Sequence, residues 1–403
     1  MISFNPKRLN RSDWFIVVWV LYYLQGILYP VGSMISLALL GINLLVSANC
    51  TLKVLRWSDN PKYFRGFNLL MLMFSVYGFI HILFNPSTVH YAYSGFSMPS
   101  YGYIKGVYLS LLPIYAFYYY ARKGYLTQER LQKWGMVFLV SVLLSYFRQQ
   151  QEALQVLAER GLSREETTNN AGYLFITCIP LLVLYKSRPL IQFTGLVFVM
   201  AFVVMGMKRG AIAIGGFISA YFMWQTIRNA KGKIKFAFIA LSVIFCISAA
   251  YFFIYMMTTS EYMMQRVEAT MEGNSSGRDS IYSFFWTYFT EKADALHFLI
   301  GRGANGTLDI YYNYAHNDWL EIAVNQGLLG VFVYFVYWRN FYNTWRRSSN
   351  QDAKLIIALV GMIYFVKTLF SMSYMDMSYV CTSVLGYALA MTNEPNSKNK
   401  IYE

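Results

Sequence analysis

The sequence predicts an all-α integral membrane bundle of about twelve spanning helices. Three observations carry that prediction. Apolar runs of spanning length recur along the 403 residues, charge is scarce, and basic side chains cluster on alternate connections. Hydrophobic residues make up 56% of the chain and charged residues 13%, against about a quarter charged in a soluble domain. A net charge of +14 would suggest nucleic acid in a soluble protein. In so apolar a chain it is what Lys- and Arg-rich cytoplasmic loops produce, so nucleic acid is set aside as a partner. The 35 Tyr, 31 Phe and 9 Trp suit membrane interfaces, where amphipathic rings collect. They suit a sugar-binding cleft equally well, and so decide nothing.

A spanning helix needs roughly 20 mainly apolar residues. In order, the candidates are 14–29 and 31–48, divided around Pro30; 67–84; 104–120; the short 134–146; and 171–185. They continue with 190–207, 210–225, 236–257, 319–338, 355–370 and 379–391. The first run follows Lys7, Arg8 and Arg11, but no small-residue cleavage site follows it, so it reads as a retained helix. With the N-terminus placed in the cytoplasm, alternation puts most basic clusters inside, among them Lys53, Arg56, Lys62, Arg65 and Arg339, Arg346, Arg347, Lys354, with Lys398 and Lys400 in the tail. The other side receives Glu152, Glu159, Glu165, Glu166, Glu261, Glu268 and Glu272. This is the positive-inside pattern, and it predicts that both termini are cytoplasmic.

The chain then divides into helices one to nine with short loops (1–257), a large outer loop (258–315), and three further helices with a tail (316–403). A connection as long as 258–315 predicts a small folded cap rather than a linker. Residues 148–170 read as a polar helical stretch on the same side. No internal repeat of the transporter kind is evident. Cys50, Cys178, Cys246 and Cys381 make no CxxC pair, and His81, His90, His297 and His316 make no metal-like constellation.

Three basic features break the charge rule by lying on the outer side. Lys208 and Arg209 occupy a very short connection between two long apolar runs, followed by Gly210. Basic residues at membrane depth mark a substrate path, or else they bind lipid headgroups at the interface. Arg278 follows Ser275, Ser276 and Gly277 at the start of a helix, where the helix dipole and the guanidinium together suit an anion. The alternative is a salt bridge to Asp279 or Glu272. Arg302, in IGRGANG, is the third candidate. His316 lies where the outer loop re-enters the membrane and suits a general base near neutral pH, or an ordinary interfacial role. Asn317 or Asp318 would cap the helix that follows, and Glu321, one turn on, would orient His316 or cap a neighbour.

His316-Asn317, nine residues, then Gly327-Leu328-Leu329-Gly330 resembles the H-N-x9-G-x-x-G signature of bacterial O-antigen ligases and Wzy-type polymerases. KRGAI (208–212), SGRDS (276–280) and GRGANG (301–306) resemble that family's upstream motifs, in its order. The ligase form of the signature carries Thr after the last Gly, and this chain has Val331. The resemblance implies a fold similar to class C glycosyltransferases, in the bacterial inner membrane, with a periplasmic site and a transfer that needs no metal or cofactor. The implied donor is a glycan on undecaprenyl diphosphate, gripped by Arg209 and Arg278 with Lys208 and Arg302 as further candidates. The implied acceptor is a glycan, either a lipid-linked repeat or lipid A core, deprotonated by His316 with Asn317 and Glu321 in support. A chain-length regulator is a further candidate partner. A polymerase, a ligase and, from another class, a lipid-linked sugar transporter are the three functions in view. The transporter reading leaves the HN-x9-GxxG segment and its long loop unexplained.

Overall fold

The computed structural model describes residues 9–85, 87–91, 93–159, 169–272 and 277–392. Lys7, Arg8, Glu165, Glu166, Ser275, Ser276, Lys398 and Lys400, all named above, lie outside these. Helix occupies most of each of the twelve apolar runs, although the 14–29 run is helical only to Tyr23 and the 171–185 run is broken into short helices. The first part of the chain folds as α1 (Arg11–Tyr23), α2 (Met34–Leu55), α3 (Lys62–Phe84), α4 (Gly102–Leu111), α5 (Pro113–Arg122) and α6 (Gln128–Glu159). Next come α7 (Ala171–Ile176), α8 (Ile179–Leu182), α9 (Pro189–Met205), α10 (Arg209–Asn229) and α11 (Gly232–Thr259). The long connection 258–315 holds α12 (Glu261–Met271), α13 (Arg278–Thr287) and α14 (Ala295–Ile300), and α15 (Asp318–Arg347), α16 (Gln351–Lys367) and α17 (Tyr379–Met391) follow.

Among the described residues five helices are long and apolar enough to cross a membrane: α2, α3, α10, the Lys235–Thr259 part of α11, and α15. The 171–185 segment, α9 and α17 are apolar but shorter. Only 22% of the α2 window and 11% of the α11 window is buried inside the protein. Helices this apolar, left largely uncovered, need lipid around them. The chain is therefore an α-helical, multi-pass membrane protein.

Three local departures from the sequence reading have physical causes. Pro113 lacks the N–H that would continue the 104–120 run, so that run is two helices, with Pro113 opening α5. The short 134–146 run belongs to the 32-residue α6, which continues to Glu159. Hydropathy falls after Tyr146, but Gln, Glu, Ala and Leu there are strong helix formers. A two-stranded hairpin, β1 (Thr88–His90) and β2 (Ser97–Pro99), pairs antiparallel between α3 and α4, with Val89 opposite Met98. Its three-residue strands are too short to show a period of two in the sequence.

The largest interfaces join α15 to α3 and α17 to α5. Tyr63 stacks on Phe67 at 5.1 Å and meets Tyr337 and Phe341 edge-on, so interlocked rings fix α15 against α3. The long connection shares a small core with α15, made of Ile281, Phe285, Ala315 and Val324. It seats α13 directly on the approach to α15.

Candidate functional site

The site is built around an interruption in α15. Gly327 has φ 66° and ψ −164°, so the helix breaks there into an entering segment and a long second segment. The loop after α14 inserts its backbone at the break. Arg302 N–H donates to the Val324 carbonyl at 2.9 Å and Gly303 N–H to that of Asn325 at 2.8 Å. Gly301, with φ +75°, lies against the backbone of Asn325 and Gln326, and a Cβ on Gly327 would meet Gly301 N and Leu299 C at 2.5 Å. Only glycine takes that backbone conformation comfortably, and only glycine leaves room. The nine-residue spacing between Asn317 and Gly327 is thus the length of the entering segment, Asp318–Gln326.

Gly327→Ala should therefore lower the unfolding temperature in detergent far more than Gly32→Ala. Gly32 also has a positive φ (+75°) but nothing near its Cβ direction. Strain alone is worth about 1–3 kcal/mol, and the clash at Gly327 adds to it. Equal melting losses for the two variants would refute the interlock.

Three side chains at the start of α15, Asn317, Asp318 and Glu321, hold the chain around His316, each with a different task. Asn317 is the N-cap of α15, accepting from the N–H groups of Trp319 (3.0 Å) and Leu320 (3.1 Å). Its Nδ2 donates to the Leu369 carbonyl at 3.0 Å. Asp318, fully buried, accepts from Ser373 N–H, the Ser373 hydroxyl and the Tyr334 hydroxyl, each at 2.8 Å. Glu321, equally buried, accepts from the Thr307 hydroxyl, from Ala315 N–H at 2.7 Å and from Asn325 Nδ2 at 3.0 Å. Glu321 thus acts on the residue before His316 by fixing its backbone. The Asp318 clamp on Ser373 was missed in the sequence, because nothing marks two residues 55 positions apart as partners.

His316 itself has φ +52°, a left-handed conformation uncommon for a side-chain-bearing residue. The flanking bonds overdetermine it: Ala315 is held by Glu321, and the His316 carbonyl accepts from the Tyr282 hydroxyl at 3.1 Å. Strained backbone held this firmly is a mark of functional sites. Tyr282 also donates to the Leu369 carbonyl at 3.2 Å, so α13 is fastened at the same point as Asn317.

The fastening brings Arg278, the first residue of α13, up to His316. Partial burial and the positive charges of Arg278 and Lys208 hold the imidazole below its ordinary value, so it is neutral at neutral pH. Among the described residues no ion pair joins Arg278 to Asp279 or Glu272. Lys208 and Arg209 arrive from another direction. Met207 turns with φ 49°, the Gly206 carbonyl accepts from Asn169 N–H at 2.8 Å, and Arg209 opens α10. A Cβ on Gly210 would run into the Tyr173 hydroxyl and the Phe370 ring, and Tyr173 lies within reach of the Arg278 charge. The N-termini of α10 and α13 thus converge beside His316. Arg302 has different partners: Nη1 donates to the Tyr288 hydroxyl at 2.8 Å, and its charge acts on Asp309.

The hairpin supplies a wall. Phe96 stacks on Tyr314 at 6.4 Å, two residues before His316, and Asn305 Nδ2 donates to the Tyr91 hydroxyl at 3.3 Å. Beyond Tyr173 opens a cavity of about 920 Å³, lined by polar and apolar residues of α1, α6, α7, the end of α16 and 376–379. Among the described residues no three His, Cys, Asp or Glu side chains are grouped as metal ligands. The arrangement is chemically simple. The His316 imidazole, its pKa held down by burial and by the Arg278 and Lys208 charges, is a group suited to accept a proton, and a helix N-terminus attracts anions.

Residues 194–335 match the family model described as O-antigen ligase. No curated protein matches the chain. The matched segment contains Lys208, Arg209, Arg278, Arg302, His316 and the Gly327–Gly330 signature, the residues that the fold gathers around the broken helix. Over residues 194–335 the chain is similar to the O-antigen ligase family.

Proposed function

We propose that the chain is a bacterial inner-membrane glycan polymerase of the Wzy type, acting on undecaprenyl-diphosphate-linked oligosaccharide at the periplasmic face. In this reading about twelve helices cross the membrane, both termini are cytoplasmic, and 258–315 caps the site from the periplasm. The observation that carries it is the placement of His316, held at φ +52° and fastened through Tyr282 of the helix that Arg278 opens. His316 takes the proton of an acceptor sugar hydroxyl. That oxygen attacks the anomeric carbon of the donor, the bond from that carbon to the phosphate oxygen breaks, and the electron pair leaves on the diphosphate. The configuration inverts, and the imidazolium later releases its proton to water. Arg209 and Arg278 grip the diphosphate with planar, bidentate contacts and stabilise the charge it gains. Lys208 adds a third charge, and Arg302, through Tyr288, fixes the wall of the site.

A second reading, a ligase moving a finished glycan to lipid A core or another acceptor, is favoured by the description of the matching family model. Val331 in place of Thr after the signature favours the polymerase. The deciding assay supplies purified protein in detergent with undecaprenyl-diphosphate-linked repeat units alone. A ladder of longer lipid-linked products is the expected result. Transfer only after a separate acceptor is added would establish the ligase, and no transfer to any acceptor would leave transport as the function.

A further inference from the structure

The cavity behind Tyr173 holds a charge that the transfer reaction does not use. Lys367, the last residue of α16, is only 9% exposed. Its ammonium lies 5.5 Å from the Tyr173 ring centroid and 5.4 Å from that of Tyr364, and no carboxylate pairs with it among the described residues. Burying an ammonium is expensive. The two ring faces and the charge of buried Asp318, on which Lys367 acts, offset part of that cost, and Lys367 also lines the cavity.

The other lining groups carry both signs. Arg148 pairs with Glu152 at 2.7 Å, Asp376 is exposed to the cavity, and Tyr23 stacks on Tyr379 at 4.5 Å along the wall. Donors, acceptors and ring faces in one chamber match a sugar, which offers hydroxyls of both characters and apolar C–H faces. They do not match a diphosphate, which the carboxylates of Glu152 and Asp376 would repel. A volume of about 920 Å³ is in the range of cavities that enclose ligands of several rings. Tyr173 is the shared wall, with Gly210 and the Arg278 charge against it and the Lys367 ammonium near its ring.

We propose that this chamber binds the sugar rings of the lipid-linked oligosaccharide, with Lys367 donating to and Asp376 accepting from their hydroxyls, while the diphosphate stays at Arg209 and Arg278. The proposal rests on the functional reading above and adds a glycan subsite to it. The experiment measures binding of two probes to purified protein by native mass spectrometry. One is undecaprenyl diphosphate without sugar; the other is lipid-linked oligosaccharide extracted from source cells lacking this gene. Lys367→Met and Asp376→Asn should each bind the sugar-free lipid as wild type does, which also shows that they are folded. Each should bind the oligosaccharide-bearing lipid about tenfold more weakly, the loss of a hydrogen bond to a charged group. Unchanged affinity for both probes, or equal weakening for both, overturns the subsite. Arg278→Ala should weaken both probes; if it weakens neither, the diphosphate reading fails while the chamber still stands or falls on its own variants.

Discussion

His316→Asn is expected to lower glycan transfer by about 10²–10⁴-fold, the usual contribution of a positioned general base, while undecaprenyl diphosphate still binds. Asparagine is the informative replacement. His316 sits at φ +52°, and Asn is among the side-chain-bearing residues most tolerant of that conformation. The substitution therefore removes the base with little added backbone strain, which Ala or Gln would not achieve as cleanly. Retention of most activity by a folded His316→Asn protein would end the general-base role. The pH profile gives a second test. The base works only when neutral, so kcat/KM should fall as pH drops through the imidazole pKa. Burial and the charges of Arg278 and Lys208 hold that pKa down, which places the acid limb below the ordinary imidazole value of about 6.5. Lys208→Gln removes one of those charges, so the acid limb should move up in pH. A limb that stays or moves down would contradict the electrostatic account.

The helices were legible in the sequence, because apolar runs of spanning length leave a long, redundant signal. The ends and breaks were less so. Pro113 divides a run that hydropathy reads as continuous, and α6 outlasts its apolar part by about three turns. The site was legible as motifs before it was legible as geometry. KRG, SGR and HN-x9-GxxG named Lys208, Arg209, Arg278 and His316, and the fold brings Lys208 and Arg278 within electrostatic reach of the imidazole. What stayed hidden is whatever depends on pairing distant positions. For Glu321 the sequence leaves open whether it orients His316 or caps a neighbour; in the structure its carboxylate holds Thr307 and Ala315, partners that no local pattern marks. The reason for Gly327 appears only when Gly301 is seen against it. Lys367 is a lone charge in an apolar run, but its tyrosine neighbours come from 173 and 364, and no local pattern announces them.

Arg278→Ala should reduce transfer by about 10²–10³-fold, the scale of removing one charge-stabilising group from a preorganised site. The division between kcat and KM separates its two proposed tasks. A guanidinium that only anchors the diphosphate contributes equally to ground and transition states, so its loss raises KM and spares kcat. One that also meets the charge arriving on the leaving oxygen lowers kcat as well. The position of Arg278 at the start of α13 favours the second outcome, since the helix dipole adds to the guanidinium there. Arg278→Lys sharpens the point. Lysine keeps the charge but not the planar fork, so it should recover part of the binding and little of the kcat. Arg209, opening α10, is proposed to face the same diphosphate, so Arg209→Ala and Arg278→Ala should combine less than additively, as groups acting on one anion do. Strict additivity of the two would mean that they serve separate sites, and the convergence of α10 and α13 would need another explanation.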